Sequence, residues 1–459
     1  MNFNEIEILG LRGFSGKEKL IIAKPDSNPG SGLTVIVGPN NSGKSTIYEA
    51  FRAMSQTQPP SFTEGRRNKA AGDKIEISIS KTDGSSLLLK TTVNGGSETE
   101  HQLNGLTKEQ VRFLTLPSRR TFNPFFSKSS YDRATYINTS DLQPVRGSQL
   151  DNFSYRLFNI QKNPASFNSE LSKVLGYTPA WHIEQGDSGQ YYLKFTNNGS
   201  SHNSDGTGEG LLSIFTIVDT LYDSSPDDLI FIDEPELSLH PSLQRKLLNL
   251  LLEYSKTRQV VISTHSPFFI SWLSISKGGQ IARTVKESSG TKIYQLKRPT
   301  ADKIIPLLNN LNNPHILGLD AKEIFFLDDN IILVEGQEDV IFLNRILNIK
   351  EQNLNGTFYG WGVGGADNTD KVLEMLQDLG FKKIVVILDN NMQQKIAPLQ
   401  QQFPNYKFVT IPTDDIREKV ETKAKAAVEG LIDVGGKVIN QKYDKDIDML
   451  CVDINSYLT

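Results

Sequence analysis

Residues 33–45 read LTVIVGPNNSGKS: an apolar run stopping at Gly38, then the spacing G-x-x-x-x-G-K-S through to Ser45. A short apolar run that ends at a glycine turn reads as a buried strand, and the residues that follow, TIYEAFRAM, space their apolar side chains as a helix does. Strand, glycine loop and helix in that order make a phosphate loop. Backbone amides from Gly38, Asn40, Asn41 and Gly43 to the helix start at Thr46 can cradle phosphate oxygens, Lys44 can neutralise the β and γ groups, and Ser45 can ligate Mg²⁺. A chance glycine turn would not come with both flanking elements.

Two more apolar runs end in polar groups suited to the same chemistry. LIFIDE (229–234) delivers Asp233, placed to hold Mg²⁺, and Glu234, a candidate to orient or activate an attacking water. VVISTH (260–265) delivers His265, which can reach the γ-phosphate or that water. Three buried strands ending in such groups belong to an α/β sheet with its active loops at the carboxyl ends. Between about 72 and 115 the pattern changes to alternation broken by TDGS and NGG, the mark of an antiparallel β lobe. Helical pieces are expected from about 144 to 200. In LPSRRTFNPFFSK (116–128), Arg119 and Arg120 beside aromatics suit nucleic acid or phosphates, or ordinary surface charge.

A second unit follows a turn-rich stretch. NIILVEG (330–336) and KKIVVILD (382–389) read as strands, with helices expected at about 338–348 and 368–380 between them. The β-α-β order implies a small parallel sheet. Glu335 leaves the first strand, Asp339 stands in the first turn of the next helix, and Asp389 ends the later strand, an arrangement that can converge on one hard cation or merely cap the helix. Two positions after Asp389 stands Asn391, whose amide oxygen can ligate a metal without bringing charge. Asp414, Asp415 and Glu418 in IPTDDIREK are alternative acids. Lys395 and Lys423 are candidate phosphate contacts, though solvated lysines are the plainer reading.

The 459 residues carry a formal charge of −4 and a single cysteine, Cys451. That length implies two to three domains, the near-neutral balance confines any nucleic-acid contact to a local groove, and one cysteine excludes an internal disulfide framework or a cysteine-built zinc site. The N-terminus lacks a basic start followed by an apolar run, and no segment approaches the roughly 18 apolar residues of a membrane span. A cytoplasmic protein with no membrane partner is expected.

GPNNSGKS with DEPELSLHP (233–241) and STHSP (263–267) resembles the ATP-binding cassette ATPases of the RecF, SMC and OLD (overcoming lysogenization defect) type, over about residues 1–300. The resemblance implies an ATPase head of mixed sheet, β lobe and helical insertion, using ATP and Mg²⁺ and pairing into a homodimer or higher oligomer. It also implies a serine-glycine signature that completes the partner's nucleotide site. SDGTGEG supplies Ser204, Gly206 and Gly208 for that role, although it departs from the transporter form of the motif. The phrase ELSLHP, from Glu236, would touch the opposite subunit. About 160 residues without sustained heptads separate loop and signature, which excludes a long SMC coiled coil.

The C-terminal order of Glu335, a glycine-rich turn FYGWGVGGADN (358–368) and Asp389 resembles the TOPRIM fold of topoisomerases, primases and OLD nucleases, over about 325–420. It implies that Glu335, Asp339 and Asp389 hold Mg²⁺, or Mn²⁺, for phosphodiester chemistry, with Asn391 where the family has a second acid. An ATPase domain at 1–300, a linker at 301–328 and a TOPRIM-like domain with an extension at 329–459 is the layout of OLD-family proteins, associated with bacterial defence against phage. Such proteins act alone or with a partner, including a reverse transcriptase with its DNA or RNA in retron systems, or a separate toxin. The expected activity is therefore ATP-regulated, metal-dependent cleavage of nucleic acid, DNA before RNA. Two alternatives stand beside it: an ATPase sensor whose degenerate TOPRIM domain holds and releases a toxic partner, and a RecF-like DNA-repair ATPase.

Overall fold

The computed structural model describes residues 2–120, 153–197, 200–203, 208–309, 313–421 and 426–459. The chain divides into two compact units, Met1–Gln295 and Leu296–Thr459.

The first unit is built on a six-stranded sheet in the order β14-β13-β3-β12-β11-β7. Its members are β3 (Leu33–Val37), β7 (Phe113–Leu116), β11 (Leu229–Asp233), β12 (Gln259–Ser263), β13 (Gln280–Glu287) and β14 (Gly290–Gln295). All pairs are parallel except β13 with β14, so the three motif-bearing strands end side by side on one edge. Every residue of β3, β11 and β12 is buried, as strands covered on both faces must be. The helix Lys44–Ser55 sets Ile47, Ala50, Phe51 and Met54 on one side. Phe51 meets Phe113 and Phe231 edge-on or tilted, with ring centroids 5.5 and 5.2 Å apart.

An antiparallel sheet, order β2-β1-β4-β5-β6, covers this core: β1 (Phe3–Leu9), β2 (Glu18–Ile21), β4 (Glu76–Lys81), β5 (Ser86–Thr91) and β6 (Thr99–Asn104). Ile77, Ile79, Leu87 and Leu89 point inward in strict alternation, the β lobe the sequence predicts. The expected helical insertion is only half helical. Helices Phe153–Lys162 and Ala165–Leu175 are followed by a three-stranded antiparallel sheet, β8 (Ala180–Gln185), β9 (Tyr191–Asn197) and β10 (Ser200–Asn203). Aromatic side chains explain the strands: Trp181 and Phe195 pack with Phe167 around Phe215 of the helix Glu209–Tyr222.

One buried ion cluster ties this insertion to the unit. Arg156 donates to both carboxylate oxygens of Asp219, at 2.9 to 3.2 Å, and pairs with Asp223 at 2.5 Å. Burial alone would lower the guanidinium pKa, but Asp219 and Asp223 outweigh it and raise it. Arg156→Met removes both contacts and strands buried negative charge, so it is expected to destabilise this unit by about 3 kcal/mol or more, seen as a lower first melting transition. An unchanged transition would contradict this.

The second unit carries a parallel sheet of order β16-β15-β17-β18: β15 (Ile331–Val334), β16 (Thr357–Phe358), β17 (Ile384–Leu388) and β18 (Lys407–Thr410). Helices Gln337–Ile349 and Thr369–Asp378 lie where the sequence places them. A short parallel pair, β19 (Asp415–Arg417) with β20 (Gly430–Ile432), and the terminal helix Asp444–Leu458 complete one core with Ile332, Val334, Phe342, Ile387 and Ile454.

Residues 301–328 differ from the expected linker. They continue the helix Arg298–Ile304 and add short helices at Asn313–Ile316 and Leu319–Glu323 within the second unit. Anchoring explains it: Thr300 Oγ1 and the Lys297 amide donate to Asp378 at 2.6 and 3.0 Å, Lys303 pairs with Glu374 at 2.5 Å, and the Tyr359 hydroxyl donates to the Ile316 carbonyl at 2.8 Å. Among the described residues no helix is long and apolar enough to cross a membrane.

Candidate functional sites

The phosphate loop leaves β3 through three residues of positive φ, Gly38 (137°), Asn41 (62°) and Gly43 (105°). Gly38 has no alternative: a Cβ there would lie 2.4 Å from the Thr284 carbonyl oxygen. Lys44, 4% exposed, donates from Nζ to the Gly38 and Pro39 carbonyls at 2.8 Å each, curling the loop around itself. Burial lowers its pKa to about 8 against the pull of Glu234, Asp233 and Glu236. The loop opens on a cleft of about 600 Å³ lined by Asn40, Asn41, Gly43, Lys44, Ser45 and Thr46, and by Glu234 and His265 from the neighbouring strand ends. That is the size of a nucleotide-scale pocket.

Asp233 is buried at the end of β11, where its carboxylate accepts from the Ser263 hydroxyl on the adjacent strand. Glu234 follows in a left-handed conformation, φ 47°, a strained state for a residue with a side chain, held by its amide bonding to the Ser263 carbonyl at 2.8 Å. The turn swings its carboxylate back to within 3.8 Å of His265 Nε2. Burial, aided by Lys44, lowers the His265 pKa to about 4, so the imidazole is neutral near pH 7 and the contact is not an ion pair.

Sequence reasoning passed over several residues here. Arg12, Asn68, Lys286 and Thr291 also line the cleft, the first two from loops and the last two from the β13–β14 hairpin, with no motif of their own. Glu236 accepts from Thr264 Oγ1 and the His265 amide at 2.8 and 2.6 Å, so its carboxylate fixes the third strand end within this chain. Burial raises its pKa. Arg120 is neither a surface charge nor a nucleic-acid contact but 4% exposed, donating to the backbone of Asp233 and Glu234. Of the signature residues, Ser204 and Gly206 lie outside the described residues. Gly208 is exposed and precedes the helix Glu209–Tyr222.

In the second unit, β15 and β17 are paired in parallel, which brings their following residues, Glu335 and Asp389, together. Glu335 Oε1 accepts from the Asp389 amide at 3.3 Å, and Asp339 Oδ2 from the Gly336 amide at 2.8 Å. The glycine-rich turn closes over this edge: Gly362, φ 89°, comes so near Gly336 that a Cβ would lie 2.7 Å from its Cα. Glu335, Asp339 and Asp389 line one cavity together with Asp415, Lys419 and His315.

Asn391 does not line it. Its Nδ2 donates to the Asp414 carbonyl at 3.0 Å, bracing the loop from outside. Two further acids line the cavity, Glu338, which pairs with Arg417 at 3.0 Å, and Asp415, one of the alternatives in IPTDDIREK, whereas Asp414 accepts from Asn390 at 3.2 Å and Glu418 is exposed. Of the nominated lysines, Lys395 does not line the cavity and pairs with Asp367 at 2.5 Å, and Lys423 lies outside the described residues. Lys419, which the sequence did not single out, lies against Asp415. His315 sits in the stretch expected as linker, with Nδ1 buried and no hydrogen-bond partner among the described residues.

The donor set fits a hard divalent cation. Burial first, then mutual repulsion with the other acids, raises Asp389 to about 8 and Asp339 to about 6, and Glu335 is raised as well. Such crowding of acidic oxygens is relieved by Mg²⁺ or Mn²⁺. Among the described residues no three acids or histidines already stand grouped to hold a metal; Glu335 and Asp339 each accept from a backbone amide.

Comparison with known proteins matches these two sites separately. Residues 326–390 match the family "Overcoming lysogenization defect protein-like, TOPRIM domain". Among characterised proteins, Endonuclease GajA of Bacillus cereus (strain VD045) is 26% identical over 209 residues, which cover 44% of this chain and 34% of that protein. Old nuclease of Escherichia phage P2 is 34% identical over 160 residues, 34% of this chain and 26% of that protein. The chain thus spans about a third and a quarter of the length of these relatives. The SMC head domain from Thermotoga maritima superposes over 65% of this chain and 100% of its own, at 14% identity and a TM-score of 0.41, too remote to argue from. Residues 33–271, more than half of the chain, match the family described as "AAA domain, putative AbiEii toxin, Type IV TA system". The chain belongs to that AAA-domain family of ATPases and carries an OLD-like TOPRIM segment behind it.

Proposed function

We propose that this protein is an ATP-hydrolysing anti-phage defence effector whose C-terminal unit cleaves nucleic-acid phosphodiester bonds with a divalent metal under control of the ATPase unit. The observation that carries the reading is the gathering of Glu335, Asp339, Asp389 and Asp415 with Lys419 on one cavity at the carboxyl edge of a parallel sheet. Glu335, Asp339 and Asp389 would hold Mg²⁺ or Mn²⁺, and a bound ion would supply an activated water and stabilise charge on the phosphate. Lys419 is placed to neutralise a phosphate oxygen, and Asp415 to hold Lys419 there.

In the first unit the cleft would take ATP, with Gly38, Asn40, Asn41, Gly43, Lys44 and Thr46 on the phosphates and Ser45 and Asp233 toward Mg²⁺. Glu234 would align the attacking water, with neutral His265 as its neighbour. Exposed Gly208 at a helix start supports pairing of two heads across the nucleotide, with Ser204 and Gly206 completing the signature. Nucleic acid, DNA before RNA, is the proposed substrate and the cytoplasm the proposed setting. A retron-type partner, a reverse transcriptase with its DNA or RNA, remains part of this proposal.

Asn391 argues less for a degenerate domain than the sequence alone suggests, since Glu338 and Asp415 add two acids to the cavity. The docking-only alternative is favoured by one observation, the absence of three preconverged ligands among the described residues. Asn391→Asp separates the two. Because Asn391 braces a loop outside the cavity, the change is expected to leave the Mn²⁺ dependence of plasmid cleavage within about twofold. A tenfold tighter metal response would put position 391 in the site.

A further inference from the structure

Arg120 follows β7 at the rim of the nucleotide cleft, and its side chain runs inward. Nη1 donates to the Pro117 carbonyl at 2.7 Å and to the Asp233 carbonyl at 2.6 Å, Nη2 to the Glu234 carbonyl at 2.9 Å, and Nε to Ser213 Oγ at 3.1 Å. Four partners from three elements thus share one planar fork: the end of β7, the turn after β11, and the helix Glu209–Tyr222. Only arginine presents donors in that fixed geometry, since a lysine ammonium offers its three from a single point. The group is 4% exposed, and burial lowers its pKa to about 10 even though Asp233, Glu236 and Glu234 oppose that, so it stays charged.

Packing does not require a cation at this place. The fork grips the backbone of the two residues whose side chains the ATPase reading needs, and it grips Glu234 where φ is 47°. It also ties that turn to Ser213, one turn into the helix that begins behind Gly208. Gly210 on the same helix lies so close to the loop after Glu234 that a Cβ there would stand 2.4 Å from the Ser238 carbonyl oxygen. Helix and turn are therefore held as one body.

We propose that Arg120 is a positioning residue for ATP hydrolysis, holding Glu234 in its left-handed turn and linking that turn to the helix behind the signature. Its own side chain does not line the cleft. This rests on the reading of the cleft as an ATP site, and it goes beyond that reading in assigning a residue outside every motif. A displaced carboxylate costs turnover while leaving phosphate binding by the loop intact.

The test compares full-length wild type, Arg120→Lys, Arg120→Met and Ser213→Ala by steady-state ATP hydrolysis and by titration with a fluorescent ATP analogue. Arg120→Lys and Arg120→Met are expected to lower kcat by about 10- to 100-fold while nucleotide affinity stays within about twofold. Ser213→Ala keeps the carbonyl grip and loses only the tie to the helix, so a smaller fall in kcat with unchanged affinity is expected. That variant also keeps the proposal testable if both Arg120 variants fail to fold. Folded Arg120 variants with wild-type kcat, or Ser213→Ala with wild-type kcat where Arg120 variants do not fold, overturn the proposal. Wild type that binds no ATP overturns the reading of the cleft and this proposal with it.

Discussion

Glu234→Gln is expected to bind ATP as wild type does and to turn it over at least about 100-fold more slowly. The substitution keeps the shape and the left-handed turn, because the backbone contacts to Ser263 and Arg120 are untouched. What it removes is the charge that faces the cleft beside neutral His265. The other carboxylate lining the cleft, Glu287, accepts from the Tyr294 hydroxyl at 2.6 Å, and burial with Lys44 leaves His265 neutral but a weak base, so neither is expected to replace Glu234 fully. Lys44→Ala fails differently. Lys44 closes the loop through the Gly38 and Pro39 carbonyls and carries the charge meant for phosphate, so affinity and turnover both fall, again by about 100-fold or more. Hydrolysis unaltered in either variant would sink the assignment of the cleft.

The second large effect belongs to the C-terminal cavity. Asp389→Ala and Glu335→Ala are each expected to reduce metal-dependent cleavage by at least about 100-fold and to weaken Mn²⁺ binding measured on the protein without substrate. Neither residue is needed for its strand: β15 and β17 are buried apolar runs that end before the acids begin. Removing one of several crowded carboxylates should even ease their repulsion, so the variants should melt no lower than wild type without metal. Loss of activity with preserved folding distinguishes a ligand from a structural acid. Mn²⁺ binding undiminished in both variants would contradict the assignment.

Most of the candidate nucleotide cleft was legible because its residues lie on contiguous motifs at strand ends: Lys44, Asp233, Glu234 and His265 each follow an apolar run. Arg120 was visible only as a charge among aromatics, since its role depends on burial across three elements. Arg12 reaches the cleft from a loop and Lys286 from the end of β13, neither with a local signature. In the second unit Glu335, Asp339 and Asp389 could be placed because two buried strands and a helix start fix them. Position 391 misled, because D-x-D spacing says nothing about a 3₁₀ turn that carries the next side chain away. Asp415 and Lys419 enter the cavity through β19, a strand of three residues too short to read from alternation. The stretch 301–328 looked like a linker for a similar reason: the helix that enters it is fixed by Asp378 and Glu374, some 70 residues further on, and Ile316 by Tyr359.

The most direct test is cleavage itself. Purified full-length protein is incubated with plasmid and with single-stranded DNA, with and without ATP, in Mg²⁺ or Mn²⁺, beside Asp389→Ala. The account predicts metal-dependent cleavage by wild type, its loss in the variant, and a rate that changes with ATP. Metal-independent cleavage, or equal cleavage by wild type and Asp389→Ala, would contradict it.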